Sequence, residues 1–316
     1  MTALKQERPT LPATALVLAP AKVNLYLRVL GCRDDGYHFL DSLVAPIRLF
    51  DRLRVCIRPA QSTHIDLQIK PAVDLSPGPE NLAFRAAALY LRRTGRCARV
   101  AITLHKRIPV GAGLGGGSSD AAAVLRALNA LSSCPVDSCN LADWALGLGA
   151  DVPFFLLGGS GRMRGVGERL SPTPSPLPTG QPLVVAFLGA GLATAEVYRR
   201  YDDSLTTPRG TSTTYALTPG QGPLQDWLIN DLEAAAVQII PTLMNLKRQL
   251  RALGARGVVM TGSGSAILGV WNRWDDACAA AQRLRADGTW ACVTEVLEKV
   301  PAVERDEQHG GRSPSW

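Results

Sequence analysis

The sequence is poor in lysine. Only six of its 34 basic residues are lysines, and none of the six follows a glycine. That excludes a Walker A phosphate loop, which needs Gly-Lys followed by Ser or Thr. Histidine is also scarce, with four residues and none beside a cysteine pair in zinc-like spacing. The seven cysteines include no CxxC, and the two nearest, Cys134 and Cys139, are five apart. An odd count with no framework reads as reduced thiols in a cytoplasmic protein. No apolar run reaches the roughly 20 residues of a spanning helix. The longest, Pro182 to Ala195, contains glycines and a threonine and reads as a buried strand plus a loop. The start, MTALKQERPTLPATA, has no signal-peptide core. The arginines form no long run and no stripe interleaved with aromatics. The expectation is no membrane and no nucleic-acid partner, with the oligomeric state, monomer or dimer, left open.

What is present is 316 residues with a formal charge of +7, enough chain for two domains and a balance that favours anionic partners. Residues 1–14 are polar and proline-containing and read as a loose arm, and residues 303–316 as a loose tail. Ser171 to Pro182 (SPTPSPLPTGQP) cannot be helix interior and marks the connection between halves, 15–170 and 171–302. Alternation predicts strands at Val23–Leu30, Leu53–Arg58, His64–Ile69 and Arg99–Lys106. Helical spacing covers Asn81–Arg93 and about Ser119–Leu131. The second half reads as a strand at Leu183–Leu188, helices at Asn230–Val237, Thr242–Leu253 and Trp274–Ala286, and a strand at Trp290–Val296. Strands first and a helix after the loop do not make regular βαβ winding. They predict an α+β fold with helices packed on mixed sheets.

The stretch PVGAGLGGGSSDAAAVLRAL, Pro109 to Leu128, runs from glycines into a helix. Glycines let backbone N–H groups approach an anion, the helix start adds partial positive charge, and Ser118 or Ser119 can cap the helix or donate to phosphate. The dinucleotide pattern is met by Gly111, Gly113 and Gly116, but no clear second strand follows. A purely structural glycine turn remains an alternative, and phosphate is the better reading.

Three motifs in order resemble the GHMP kinases (galacto-, homoserine, mevalonate and phosphomevalonate kinases). Pro109, Gly113, Leu114, Gly115, Ser118, Ser119 and Ala121 match the central motif. Ala19-Pro20-Ala21-Lys22-Val23-Asn24-Leu25 resembles the first, and Met260-Thr261-Gly262-Ser263-Gly264-Ser265 the third. Arg33-Asp34-Asp35-Gly36-Tyr37-His38, Gly149-Ala150-Asp151-Val152-Pro153-Phe154 and Thr194-Ala195-Glu196-Val197-Tyr198 resemble the branch of the family that phosphorylates a cytidylated methylerythritol.

The resemblance implies a two-domain fold with the active site in the cleft between domains. ATP would be the phosphoryl donor, Mg²⁺ its expected companion and the cytidylated methylerythritol the acceptor. Asp151 would be the general base, its bland alternative being a helix N-cap. Lys22, a charge in an apolar run, would be its electrostatic partner, the alternative being a strand-end lysine. Pro109, Gly111, Gly113, Leu114, Gly115, Gly116, Gly117, Ser118 and Ser119 would hold ATP, with Lys106 and with Asn81 near the adenine; both of the last two also suit ordinary surface positions. On the acceptor side stand Asn24, Thr194, Gly262 and Gly264. Tyr37 and Tyr198 would sandwich the cytosine, and His38 would read its edge; each tyrosine alone also suits a core. Ser119 is a metal ligand to test. Asp120, beside the proposed phosphate site, has no account at this level. Homoserine or mevalonate kinases, or a nucleic-acid-binding module of related fold, are the rival readings.

Overall fold

The computed structural model describes residues 12–204 and 220–306. The first half opens on two long strands, β1 (Ala13–Cys32) and β2 (His38–Pro59). They form an antiparallel hairpin whose turn is closed by Gly36 donating to Arg33 and Arg33 donating to Tyr37. Next come β3 (His64–Lys70), helix α1 (Leu82–Thr94) and β4 (Ala98–His105). The glycine loop leads into α2 (Gly116–Ala130), followed by α3 (Ser138–Leu146), α4 (Val152–Leu157), β5 (Gly161–Gly165) and β6 (Arg169–Pro172).

The second half contains β7 (Leu183–Phe187), α5 (Thr194–Asp203), the short α6 (Leu224–Trp227), β8 (Ile229–Asn230), α7 (Glu233–Ile239) and α8 (Thr242–Ala252). Then follow β9 (Gly257–Met260), β10 (Ile267–Val270), α9 (Trp274–Ala286), β11 (Trp290–Thr294) and β12 (Glu304–Asp306).

The first sheet runs β12-β1-β2-β4-β3, with β5 and β6 continuing from β2 and β8 lying parallel against β1. The β3–β4 pair is parallel and the hairpin antiparallel, so the sheet is mixed, as the strand-first order implied. The second sheet, β11-β7-β10-β9, is antiparallel throughout. Helix α2 lies on β1 and against α1. The alanines of the two helices, Ala83, Ala86 and Ala87 with Ala121, Ala122 and Ala123, are all buried in one core. Side chains this small let two helices approach closely.

Strand β1 threads all three cores. Ala15, Val17 and Ala19 belong to the core under α1 and α2. Ala21, Val23 and Leu25 belong to a core shared with Leu183, Val185 and Leu268 of the second half. Leu27 and Val29 join the core of the second half's helices. The β1–β2 register shifts between Pro20 and Ala21 and between Asn24 and Tyr26. Such irregularities re-aim side chains, and they bracket Lys22 and Asn24.

Several expectations change. The arm and the tail are not loose where they are described: Ala13 and Thr14 lie in β1, and Thr14 pairs with Asp306 of β12. The remainder of both segments lies outside the described residues. Backbone pairing across long sequence separation overrides polar composition here. Val23–Leu30 and Leu53–Arg58 are parts of strands two to four times longer. Helix α7 begins at Glu233, because Ile229 and Asn230 pair with Tyr26 and Leu27. Helix α2 begins at Gly116 with Gly115 at its N-cap, so neither Ser118 nor Ser119 caps it.

Candidate active site

The two halves meet at a cleft of about 380 Å³ lined from both sides. Strand β1 contributes Lys22 and Asn24, the glycine loop Gly113 and Gly115, the first turn of α2 Ser118, and the segment before α4 Ala150 and Asp151. From the second half come Thr194 and Tyr198 of α5 and Gly262 and Ser263 of the turn after β9.

Lys22 and Asn24, two apart on β1, share a face: the lysine Nζ donates to Asn24 Oδ1 at 2.8 Å. Asn24 Nδ2 donates to Ser42 Oγ at 2.8 Å, and Ser42 Oγ donates to the Tyr26 carbonyl at 2.7 Å. The Asn24 backbone N–H donates to Thr261 Oγ1 at 2.9 Å, fastening β1 to the second half's glycine turn. The amide oxygen is therefore fixed toward Lys22. That lysine also lies 3.4 Å from Asp151 Oδ2, its own side chain 8% exposed and the aspartate's 35%. Asp151 occupies the N-cap position of α4 but makes no capping hydrogen bond. The position is the one its alternative reading gave it, but the carboxylate is not spent on the cap and lines the cleft beside Lys22.

The glycine loop is built for close approach. Gly113 has φ +77°, and a Cβ there would lie 2.8 Å from the carbonyl oxygens of Gly264 and Thr261. At Gly115 a Cβ would meet Lys22 Cγ at 2.9 Å and Phe155 Cζ at 3.0 Å. The Lys22 N–H donates to the Leu114 carbonyl and the Ala266 N–H to the Ala112 carbonyl, at 2.9 and 3.1 Å. Leu114 itself is buried in the shared core. Gly262 also sits at the site, since a Cβ there would be 3.5 Å from both Asn24 Oδ1 and Lys22 Nζ. Gly264 faces Met260 and Leu192 instead and reaches the site through its carbonyl.

Not every expected residue joins this constellation. Asn81 is the N-cap of α1, its side chain accepting from the Ala83 N–H and donating to the Ser76 carbonyl. Pro109 and Gly111 lie at the loop entrance, Gly111 packing against Gly191, and Gly117 is exposed beside Leu82. Tyr37 is 64% exposed in the hairpin turn. The Tyr37–Tyr198 sandwich is not formed. Instead the His38 ring stacks on Tyr198, centroids 4.7 Å apart at 25°, and its Nε2 is 2.7 Å from Asp202 Oδ1. Burial, helped by the Asp151 charge and by Tyr201, pushes the Tyr198 hydroxyl well above its ordinary range and keeps it neutral.

Lys106 and Asp120 explain each other. Lys106 Nζ lies 2.5 Å from Asp51 Oδ2 and 2.9 Å from Asp120 Oδ2, all three residues buried. Burial and then the Asp51 charge push the Asp120 carboxyl up to about 8, against the pull of Lys106. Burial favours the neutral Lys106 amine, but the two carboxylates outweigh it and hold the ammonium above its usual range. The Lys106 ammonium beside Asp120 offsets its charge toward an anion at the loop. Ser119 Oγ is buried in the first turn of α2 with no hydrogen-bond partner. An unpartnered hydroxyl there fits a phosphate oxygen or a hard cation such as Mg²⁺. Among the described residues no group of three or more His, Cys, Asp or Glu side chains could hold a metal.

Sequence reasoning missed Ser42, Ser263 and Asp51. Ser42 stands opposite Leu27 in the hairpin register, and only an extension of the second strand back to His38 would have found it. Ser263 Oγ is 2.9 Å from Thr194 Oγ1. The lone acid in LVAPIRLFDRLRV, a stretch of apolar residues and arginines, was the available signal for Asp51.

The family model described as the GHMP kinases N terminal domain matches residues 81–159, and the GHMP kinases C terminal model matches residues 221–289. A 4-diphosphocytidyl-2-C-methyl-D-erythritol kinase of Thermus thermophilus is 48% identical over 277 residues, covering 87% of this chain and 94% of that protein. The protein of that name from Deinococcus radiodurans is 37% identical over 311 residues, covering 93% and 96%. A crystal structure of a 4-(cytidine 5'-diphospho)-2C-methyl-D-erythritol kinase superposes with a TM-score of 0.73 at 45% identity, covering 89% of this chain and 99% of that one. A homoserine kinase from Cytophaga hutchinsonii, 18% identical with a TM-score of 0.62, shares the fold. Among the described residues no helix is long and apolar enough to cross a membrane.

Proposed function

We propose how catalysis is divided in this chain, which belongs to the GHMP kinase family and, within it, to the 4-diphosphocytidyl-2-C-methyl-D-erythritol kinases. The chain is a small-molecule kinase of isoprenoid precursor synthesis. It moves the γ-phosphate of ATP to the tertiary hydroxyl of the cytidylated methylerythritol.

Asp151 is the general base. Its carboxylate accepts the hydroxyl proton as the oxygen bonds to the γ-phosphorus, the bond from that phosphorus to the β–γ bridging oxygen breaks, and ADP leaves. Lys22, held by Asn24, aims the hydroxyl and offsets negative charge that builds in the transition state. The backbone of Gly113 to Ser119 and the Ser118 hydroxyl hold the phosphates. Ser119 Oγ would hold Mg²⁺, which neutralises phosphate charge when bound. Thr194, Ser263 and Gly262 bound the acceptor side. Tyr198 offers a stacking face for the cytosine, and the His38 ring must turn from that face to admit the base. The unpaired cysteines support a reducing, cytoplasmic setting.

One observation carries this reading: the Lys22–Asp151 pair stands at the mouth of the glycine loop in a cleft shared by both halves. The test is ATP consumption with three alcohols: the cytidylated methylerythritol, mevalonate and homoserine. Turnover of the first alone is expected. Phosphorylation of mevalonate alone would overturn the reading.

A further inference from the structure

The phosphate loop has no lysine of its own, yet a lysine lies directly beneath it. A Cβ on Gly116 would sit 3.2 Å from Lys106 Nζ and 3.1 Å from Ile108 Cγ2. The entrance of the loop, residues 106–108, thus touches its exit at the start of α2. Two acids fix that contact. Asp51 Oδ1 accepts from the backbone N–H groups of Arg107 and Ile108, at 2.6 and 2.9 Å, and its Oδ2 accepts from Lys106. Lys106 Nζ then bridges to Asp120 on α2. Asp51 comes from β2, Lys106 from the segment after β4 and Asp120 from α2. The cluster therefore ties the sheet to both ends of the loop. Charged groups this buried are costly to place unless paired; Lys106 pairs with both acids, while Asp120 Oδ1 has no hydrogen-bond partner.

We propose that Asp51, Lys106 and Asp120 are positioning residues for phosphoryl transfer: a buried clamp that fixes the distance between the two ends of the glycine loop and so preforms the ATP cradle. Lys106 acts through the loop backbone, with two of its three donors spent on carboxylates, and not as a phosphate ligand. The inference rests on reading the loop as the ATP site. Wild-type turnover tests that reading separately from the clamp.

The clamp is tested by amide hydrogen exchange of the nucleotide-free protein, with the affinity for a non-hydrolysable ATP analogue and the KM values measured alongside. Lys106→Met and Asp120→Ala should speed exchange of amides 107–119 by about tenfold while leaving residues 183–187 protected. Analogue affinity and KM for ATP should worsen by about tenfold, with KM for the alcohol within about twofold of wild type. Asp120→Asn keeps an acceptor for Lys106 and should recover most of the loss seen in Asp120→Ala. Should Lys106→Met fail to fold, the two Asp120 variants make the same comparison. Weakened nucleotide binding with unchanged loop exchange would make Lys106 a direct ligand and overturn the clamp. Exchange raised equally in residues 183–187 would overturn it as well, as general destabilisation.

Discussion

Lys22 Nζ stands 3.4 Å from Asp151 Oδ2, although the two residues lie far apart in sequence and on different elements. Strand β1 brings the lysine in on an otherwise apolar stretch. The Asp151 carboxylate is released to the cleft because α4 starts without using it as a cap. The first expectation concerns that carboxylate. Asp151→Asn keeps the shape and removes the proton acceptor, so turnover should fall roughly 10²–10⁴-fold with ATP affinity retained. Near-normal turnover would reject the assignment.

Lys22→Met should lower kcat by about 10²–10³-fold, the range for loss of one preorganised charged donor. On the proposed mechanism Lys22 and Asp151 act on one hydroxyl, so the double variant should cost less than the product of the single effects. Full multiplicativity in a double-mutant cycle would mean that they work independently.

Gly113→Ala should weaken ATP binding and destabilise the fold. Its Cβ would meet two carbonyl oxygens at 2.8 Å, neither of which can swing aside, and its φ of +77° is strained for any L side chain. Gly117→Ala, whose Cβ would meet only Leu82 Cδ1 at 3.7 Å, is the control and should retain the wild-type thermal midpoint. Equal midpoints for both variants would contradict the close packing of loop and turn.

Tyr198→Ala should raise KM for the cytidylated alcohol by about 10-fold or more, the cost of one lost base–aromatic stack, and leave KM for ATP unchanged. Tyr198→Phe keeps the ring and should behave as wild type. A larger effect on ATP than on the alcohol would move Tyr198 to the nucleotide side.

The Asp120 carboxyl sits at about 8 in the folded chain against an ordinary 3.8. Between those values the folded state holds a proton that the unfolded state has released. The group's contribution is therefore fully present below pH 3.8 and is lost as pH rises to about 8. Urea midpoints of wild type should fall with pH across this window relative to those of Asp120→Asn. Parallel profiles would show that the carboxyl titrates alike in both states.

Much of this was legible in the chain. The loop's glycines and serines, the charge of Lys22 inside an apolar strand, and the helices at 242–252 and 274–286 follow from local spacing and from what each side chain can do. The β1–β2 hairpin was read in fragments. Both faces of its middle are covered, so the alternation that reveals a half-buried strand is lost ahead of Val23, as in the run of buried residues from Ala19 to Lys22. Asp120 had no account in the sequence because its neighbours arrive from 14 and 69 residues away, at Lys106 and Asp51.

The sequence by itself determined the glycine-rich loop running into a helix, the α+β class and the residue types able to move a proton and a phosphate. Local periodicity and the chemistry of single side chains carry that information. Tertiary structure alone decided that Lys22 meets Asp151, that Lys106 lies under the loop instead of in it, that His38 rather than Tyr37 covers Tyr198, and that the expected loose ends pair through Thr14 and Asp306. Each of these is a contact between segments distant along the chain. Its geometry depends on how shared cores and strand register place those segments, which no local pattern encodes.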